Sequence, residues 1–163
     1  MLVMPAFSQT TAELERRARR GNTEAQVALG VKYENGIVSE VSSQPLYWPD
    51  RGTAQGVLQD YLEAVKWYRA AAYQGDPMGQ LNLGRMYLFG RGVSENKMQA
   101  HKWCNLAALK LTGEDGDRAI RCRRRATFGV STRDVNLAQR LATEWKPKPW
   151  EVIRKELKIG PPE

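Results

Sequence analysis

The chain has 163 residues, 25 Lys and Arg against 18 Asp and Glu, and a formal net charge of +7. Hydrophobic residues make up 42% and charged residues 26%, which excludes wholesale disorder, and no run of 18 apolar residues offers a membrane-spanning helix. Two cysteines and one histidine exclude a disulfide-built scaffold and a His-rich metal site, and they weigh against a conventional enzyme.

Residues 1–10 are an apolar arm or the remnant of a signal peptide. Ala6 and Ser8 have the spacing of a secretory cleavage site, but a basic start and a full apolar run are missing. The expected location is periplasmic or secreted, with the cytoplasm as the alternative. Thr11 to Arg20 then reads as a capping helix (11–21) carrying Ala12, Leu14 and Ala18.

Two stretches of the chain repeat. Ala28-Leu29-Gly30-Val31-Lys32-Tyr33-Glu34-Asn35-Gly36 parallels Asn82-Leu83-Gly84-Arg85-Met86-Tyr87-Leu88-Phe89-Gly90 at an offset of 54. Ala64-Val65-Lys66-Trp67-Tyr68 parallels Ala100-His101-Lys102-Trp103-Cys104 at an offset of 36. The first copy (22–75) therefore carries an 18-residue insertion, 38–55, that the second copy (76–111) lacks. Each copy reads as two helices. Ala25, Leu29 and Tyr33 recur every four residues, as do Gly79, Leu83 and Tyr87, which puts each trio on one helix face. Gly30 and Gly84 sit inside these helices, where glycine is costly, so close approach of a neighbouring helix is expected there. Gly36 and Gly90 end the helices, and Asp76-Pro77 starts one.

After the second copy, a helix is predicted from Asp117 to Ala126. Another, capped by Ser131, runs to Trp145 with Val135, Ala138, Leu141, Ala142 and Trp145 on one side. These are C-terminal capping helices within 116–146. Residues 147–163 read as a basic, proline-containing tail with a short helix from Glu151 to Lys158 and a frayed end. The fold class expected is all-α: a short right-handed α-solenoid of antiparallel helical hairpins.

The residues Ala25, Leu29, Gly30, Tyr33, Gly36, Gly56, Val57, Ala64, Trp67, Tyr68, Ala71, Ala72 and Gly75 follow one pattern. Leu83, Gly84, Tyr87, Gly90, Gly92, Val93, Ala100, Trp103, Ala107 and Ala108 follow it again. On these residues the chain resembles the Sel-one-like repeat family, a helical-hairpin relative of the tetratricopeptide repeats. Leu137 to Ala142 and Trp145 look like the closing helix of short bacterial members. The chain departs from the pattern at the insertion, at Cys104 in place of an aromatic residue, and at Gly79 in place of alanine. The resemblance implies a non-catalytic adaptor that holds another protein in the concave groove of a superhelix, as a monomer or with weak self-association. A cysteine-rich branch of the family binds β-lactams through repeats that each hold a disulfide. This chain lacks that cysteine pair in each repeat, so the activity is not carried over.

The insertion carries Tyr47, Trp48 and Arg51, residue types enriched at binding hot spots. They read either as a recognition loop or as a flap covering the first hairpin. Residues 101–163 hold 14 basic and 8 acidic residues, and Arg121, Arg124, Arg125, Lys146 and Lys148 form a candidate basic patch. Such a patch would suit an acidic partner, nucleic acid or an anionic surface. Few aromatic residues interleave the arginines, which disfavours nucleic acid. Cys104 and Cys122 flank a turn at Gly113 symmetrically, the necessary condition for a bridge. They are a disulfide in an exported protein and buried thiols in a cytosolic one. His101 reads as structural, Trp67 and Trp103 as core, and Glu34, Glu63 and Glu95 as solvated. Trp150 has no assignment. No pattern nominates a catalytic residue, a metal site or a cofactor.

Overall fold

The computed structural model describes residues 10–36 and 60–161. Among these residues the fold is all-helical, without strands. The helices are α1 (Thr11–Arg19), α2 (Thr23–Asn35), α3 (Tyr61–Gln74), α4 (Pro77–Phe89), α5 (Lys97–Ala108), α6 (Gly113–Thr127), α7 (Thr132–Thr143) and α8 (Trp150–Glu156). From α1 to α6 each helix packs against the next, the layout of a hairpin array. No helix among the described residues is long and apolar enough to cross a membrane.

Local chemistry sets the helix starts. The Asn22 side chain accepts from the Ala25 amide, Asp76 from Gly79, Asn96 from Gln99 and Ser131 from Asp134, each satisfying an orphan donor of the first turn. α6 begins at Gly113 rather than Asp117, because Glu114 and Asp115 occupy its first turn and favour the positive end of the helix dipole.

Small residues set the spacing between helices. Gly30 lies under the ring of Tyr68, and Gly84 lies under Cys104 Sγ; a Cβ at either position would collide with the atoms above it. The two pairs are equivalent positions of the two copies. They explain why glycine is kept inside α2 and α4 despite its cost of about 1 kcal/mol. Around them Trp67, Tyr68, Leu83, Met86 and Trp103 are buried, so both repeat tryptophans are core, as expected.

In the C-terminal third, α7 forms where the sequence places it, capped by Ser131 and with Ala138 and Ala142 buried, but the tail departs from the sequence reading. α7 leaves α6 and lies along α5. Ala142 joins Trp103 and Leu106 in one cluster, and Trp145 meets the Trp103 ring edge-on at 5.8 Å between centroids. The chain then crosses α3, where the Lys148 amide donates to the Tyr73 carbonyl at 2.8 Å. Trp150 covers Gly21. Ile153 and Ile159 are buried with Leu14, Ala18, Leu29, Trp67 and Ala70. Residues 150–159, read from sequence as tail, thus complete the core between α1 and α3. α8 has seven residues, too few for an isolated helix to persist in water, so its helicity depends on this docking.

This arrangement makes Ile153 a test of the return segment. Ile153→Ala is expected to lower unfolding free energy by about 2–5 kcal/mol in urea titrations. Amide exchange should quicken in α1 and α8 more than in α5 and α6.

Candidate functional site

α7 covers the outer side of α5, and α8 covers that of α3. On the other side α2 meets α4 and α4 meets α6, and no helix among the described residues covers them there. Each of these three helices carries an exposed large apolar residue: Val31 at 40%, Phe89 at 44% and Ile120 at 39% exposure.

One buried polar cluster ties α2 to α4. Glu34, read from sequence as solvated, is only 7% exposed. Tyr68 donates its hydroxyl to Glu34 Oε2 at 2.7 Å, and the guanidinium groups of Arg85 and Arg91 each lie 3.7 Å from Oε1. Burial and the hydrogen bond to Glu34 push the Tyr68 pKa well up, so the phenol stays a donor at any physiological pH. Arg91 also lies over the rings of Tyr61 and Phe89, 5.6 Å from each centroid. Glu34 was missed because its partners come from α3, α4 and the loop after α4, none of them near it in sequence.

Between the C-terminal ends of α4 and α6 lies a cavity of about 770 Å³, lined by Leu88, Phe89, Glu95, Lys97, Arg121, Arg124, Arg125 and Phe128. Spacings of three and four residues put Arg121, Arg124 and Arg125 on one flank of α6, while Ala119, Cys122 and Ala126 point into the core. The Arg125 guanidinium lies 5.1 Å from the Phe89 centroid, and Lys97 Nζ donates to the Phe128 carbonyl at 3.0 Å. The Phe128 side chain is 82% exposed. Among the described residues, four cations therefore face one carboxylate, Glu95. None of the three arginines forms an ion pair among the described residues.

The predicted basic set does not form one patch. Arg121, Arg124 and Arg125 share the cavity. Lys148 lies over the Tyr73 ring and pairs with Glu156 at 2.7 Å, and Lys146 is exposed on the same crossing segment. Lys97, at the start of α5, contacts the arginine end, whereas Lys110, just past its end, donates to the Gly75 carbonyl beside Pro147. The two basic groups thus sit at opposite ends of α5. Phe89 and Phe128 were missed as site residues. Phe89 falls where the first copy has Asn35, and an apolar residue at a polar repeat position was the available signal. Tyr47, Trp48 and Arg51 lie outside the described residues.

The cavity's α6 wall is held by a covalent link. Cys104 and Cys122 are disulfide-bonded, with Cα atoms 5.9 Å apart. The other buried residues of α6 are Gly116, Ala119 and Ala126, which have little apolar surface to bury. Arg123 adds a hydrogen bond to Asn105 Oδ1 at 3.0 Å. His101, buried on α5, has its pKa lowered from the ordinary 6.5 by desolvation and then by the Arg123 charge. Among the described residues no group of three or more His, Cys, Asp and Glu side chains could hold a metal ion.

A family model described as Sel1 repeat matches residues 23–48, 47–76 and 77–110. Its first two segments divide the stretch read above as a single repeat with an insertion. The chain is also similar to the ERAD-associated E3 ubiquitin-protein ligase component HRD3B of Arabidopsis thaliana, at 30% identity over 100 residues. That match covers 53% of this chain and 17% of the plant protein, so the chain corresponds to a small part of that relative.

Two outcomes follow from this geometry. The disulfide closes a sequence separation of 18 residues, which corresponds to roughly 3 kcal/mol of loop-closure entropy. Reduction is expected to remove that stabilisation and to raise amide exchange in α6 while leaving α3 and α4 protected. His101 provides the second. Its lowered native pKa means the unfolded chain binds the extra proton more readily, so stability falls as pH drops through and below 6.5. In thermal melts between about pH 7.5 and 5.5, His101→Gln should show a shallower loss of stability than the unmodified chain.

Proposed function

Because the chain belongs to the Sel1 repeat family, we propose that it is a non-catalytic scaffold that holds another protein in the groove formed by α2, α4 and α6. The observation that carries this reading is the path of the C-terminal segment. It occupies the outer sides of α3 and α5 with the chain's own apolar residues, so that among the described residues the α2–α4–α6 side is the one without such a cover. Val31, Phe89 and Ile120 are exposed apolar residues on these three helices. The mechanism is rigid display: stacked hairpins hold the groove side chains in place before the partner arrives, so little conformational freedom is lost on binding. The plant relative is by its name a component of a larger ligase, which supports a role as one part of an assembly. The Cys104–Cys122 bond supports an exported setting, periplasmic or secreted, because such bonds persist in oxidising compartments.

A photo-crosslinking amino acid placed at Val31 or Ile120, in the native host, should give discrete adducts with another protein. The same probe at Val152, an exposed residue of α8, should give none. Adducts from Val152 alone, or from no position, would refute the groove assignment.

A further inference from the structure

We infer that the cavity between the C-terminal ends of α4 and α6 anchors an acidic protein segment carrying an aromatic or large aliphatic side chain. This deepens the scaffold reading and rests on it.

The charge balance sets the sign of the ligand. Among the described residues, Arg121, Arg124, Arg125 and Lys97 face the space against one carboxylate, Glu95. Gathered around one open hollow, their fields add, and a carboxylate seated there gains more than it would at an isolated surface cation. The arginines also have the right shape. A guanidinium offers a planar fork of donors that binds a carboxylate through two hydrogen bonds. Arg125 lies over Phe89, a contact that limits its freedom before binding.

The apolar part of the ligand follows from the rings. Phe128 is 82% exposed and Phe89 44%, and Leu88 lies beside them in the lining. Phe128 follows directly on α6, and the Lys97 ammonium holds its carbonyl, so the exposed ring sits on fixed backbone. The hollow is wide and open to solvent, about 770 Å³, with room for one large side chain and its neighbours. Cations beside exposed phenylalanines suit a segment that alternates acidic and apolar residues. A nucleic acid calls for a basic track along its phosphates, whereas these cations are gathered in one hollow and Lys146 and Lys148 lie at the far end of α5.

The test uses the full oxidised chain and fluorescence anisotropy. The probe is a labelled peptide of Glu and Asp residues around a single Phe. Comparison probes are the same peptide with Ser for Phe, with Lys for the acidic residues, and an oligothymidine. The acidic Phe peptide should bind, and Ser in place of Phe should weaken it about tenfold. Arg124→Glu with Arg125→Glu should weaken it at least tenfold, and Arg124→Lys with Arg125→Lys by less. Both arginines are exposed, and circular dichroism verifies that the variants keep the fold. Equal binding of the basic peptide, tighter binding of the oligothymidine, or undiminished binding by the charge-reversed variant would overturn the inference. If the acidic peptide fails while adducts from Val31 and Ile120 persist, the cavity assignment falls and the scaffold reading stands. If those adducts are absent as well, the scaffold reading falls with it.

Discussion

Two contacts of the same kind organise the array: a large atom group seated on a glycine. Tyr68 sits on Gly30 and Cys104 Sγ on Gly84. In both, the absent Cβ lets helices approach more closely than any other residue would allow. The two copies then use this room differently. The first fills it with a phenol whose hydroxyl reaches Glu34 and so ties α3 to α2. The second fills it with a sulfur, which is bonded onward to Cys122 and ties α5 to α6. One substitution within the repeat, cysteine for tyrosine, thus converts an inward polar anchor into an outward covalent one. α6 needs it, because its own buried side is glycine, alanine and cysteine. The arginines of the cavity are aimed from the other side of that helix.

The second constraint is the return of the chain. A hairpin array leaves apolar surface at its ends and along any side that its helices do not close. Here α7, the Lys-Pro-Lys-Pro crossing and α8 use one side of the array to cover Trp103, Tyr73 and Trp67 in turn. The first and last helices are thereby joined: Ile153 and Ile159 pack on Leu14 and Ala18 of α1. The same segment that packs on the N-terminal helix also covers the outer sides of α3 and α5.

Much of this was legible in the sequence. The repeat offset, the internal glycines and the N-caps are local signals, and they placed α1 to α5, the burial of Trp67 and Trp103, and the shared height of Cys104 and Cys122. What escaped depends on contacts between distant residues. Ile153 and Ile159 are six apart and flanked by charge and proline, so no helical or strand period marks them as core. Glu34 reads as a solvated helix end until Tyr68 is brought over it. The cavity takes Phe89 from the end of one helix and Phe128 from beyond another, 39 residues on, and only the α4–α6 contact joins them. The basic residues were visible as a composition, but whether they formed one patch depended on the direction of α5.

The arginines show how one residue type acquires two roles within this fold. Arg85 and Arg91 face a carboxylate that is buried and already holds a phenol, so their charge is balanced by the chain's own Glu34, linking α2 to α4 and the loop after it. Removing Glu34 would leave those cations beside a buried hydroxyl, and keeping it costs the burial of a charge; the cluster holds because each member satisfies another. Arg121, Arg124 and Arg125 have no such internal carboxylate among the described residues, and the walls around them are phenylalanine and leucine. Among the described residues, Glu95 is the carboxylate that lines the same space. An acidic segment would do for these three what Glu34 does for Arg85 and Arg91. The two sites differ in that Glu34 pairs with Arg85 and Arg91, whereas no carboxylate among the described residues pairs with Arg121, Arg124 or Arg125.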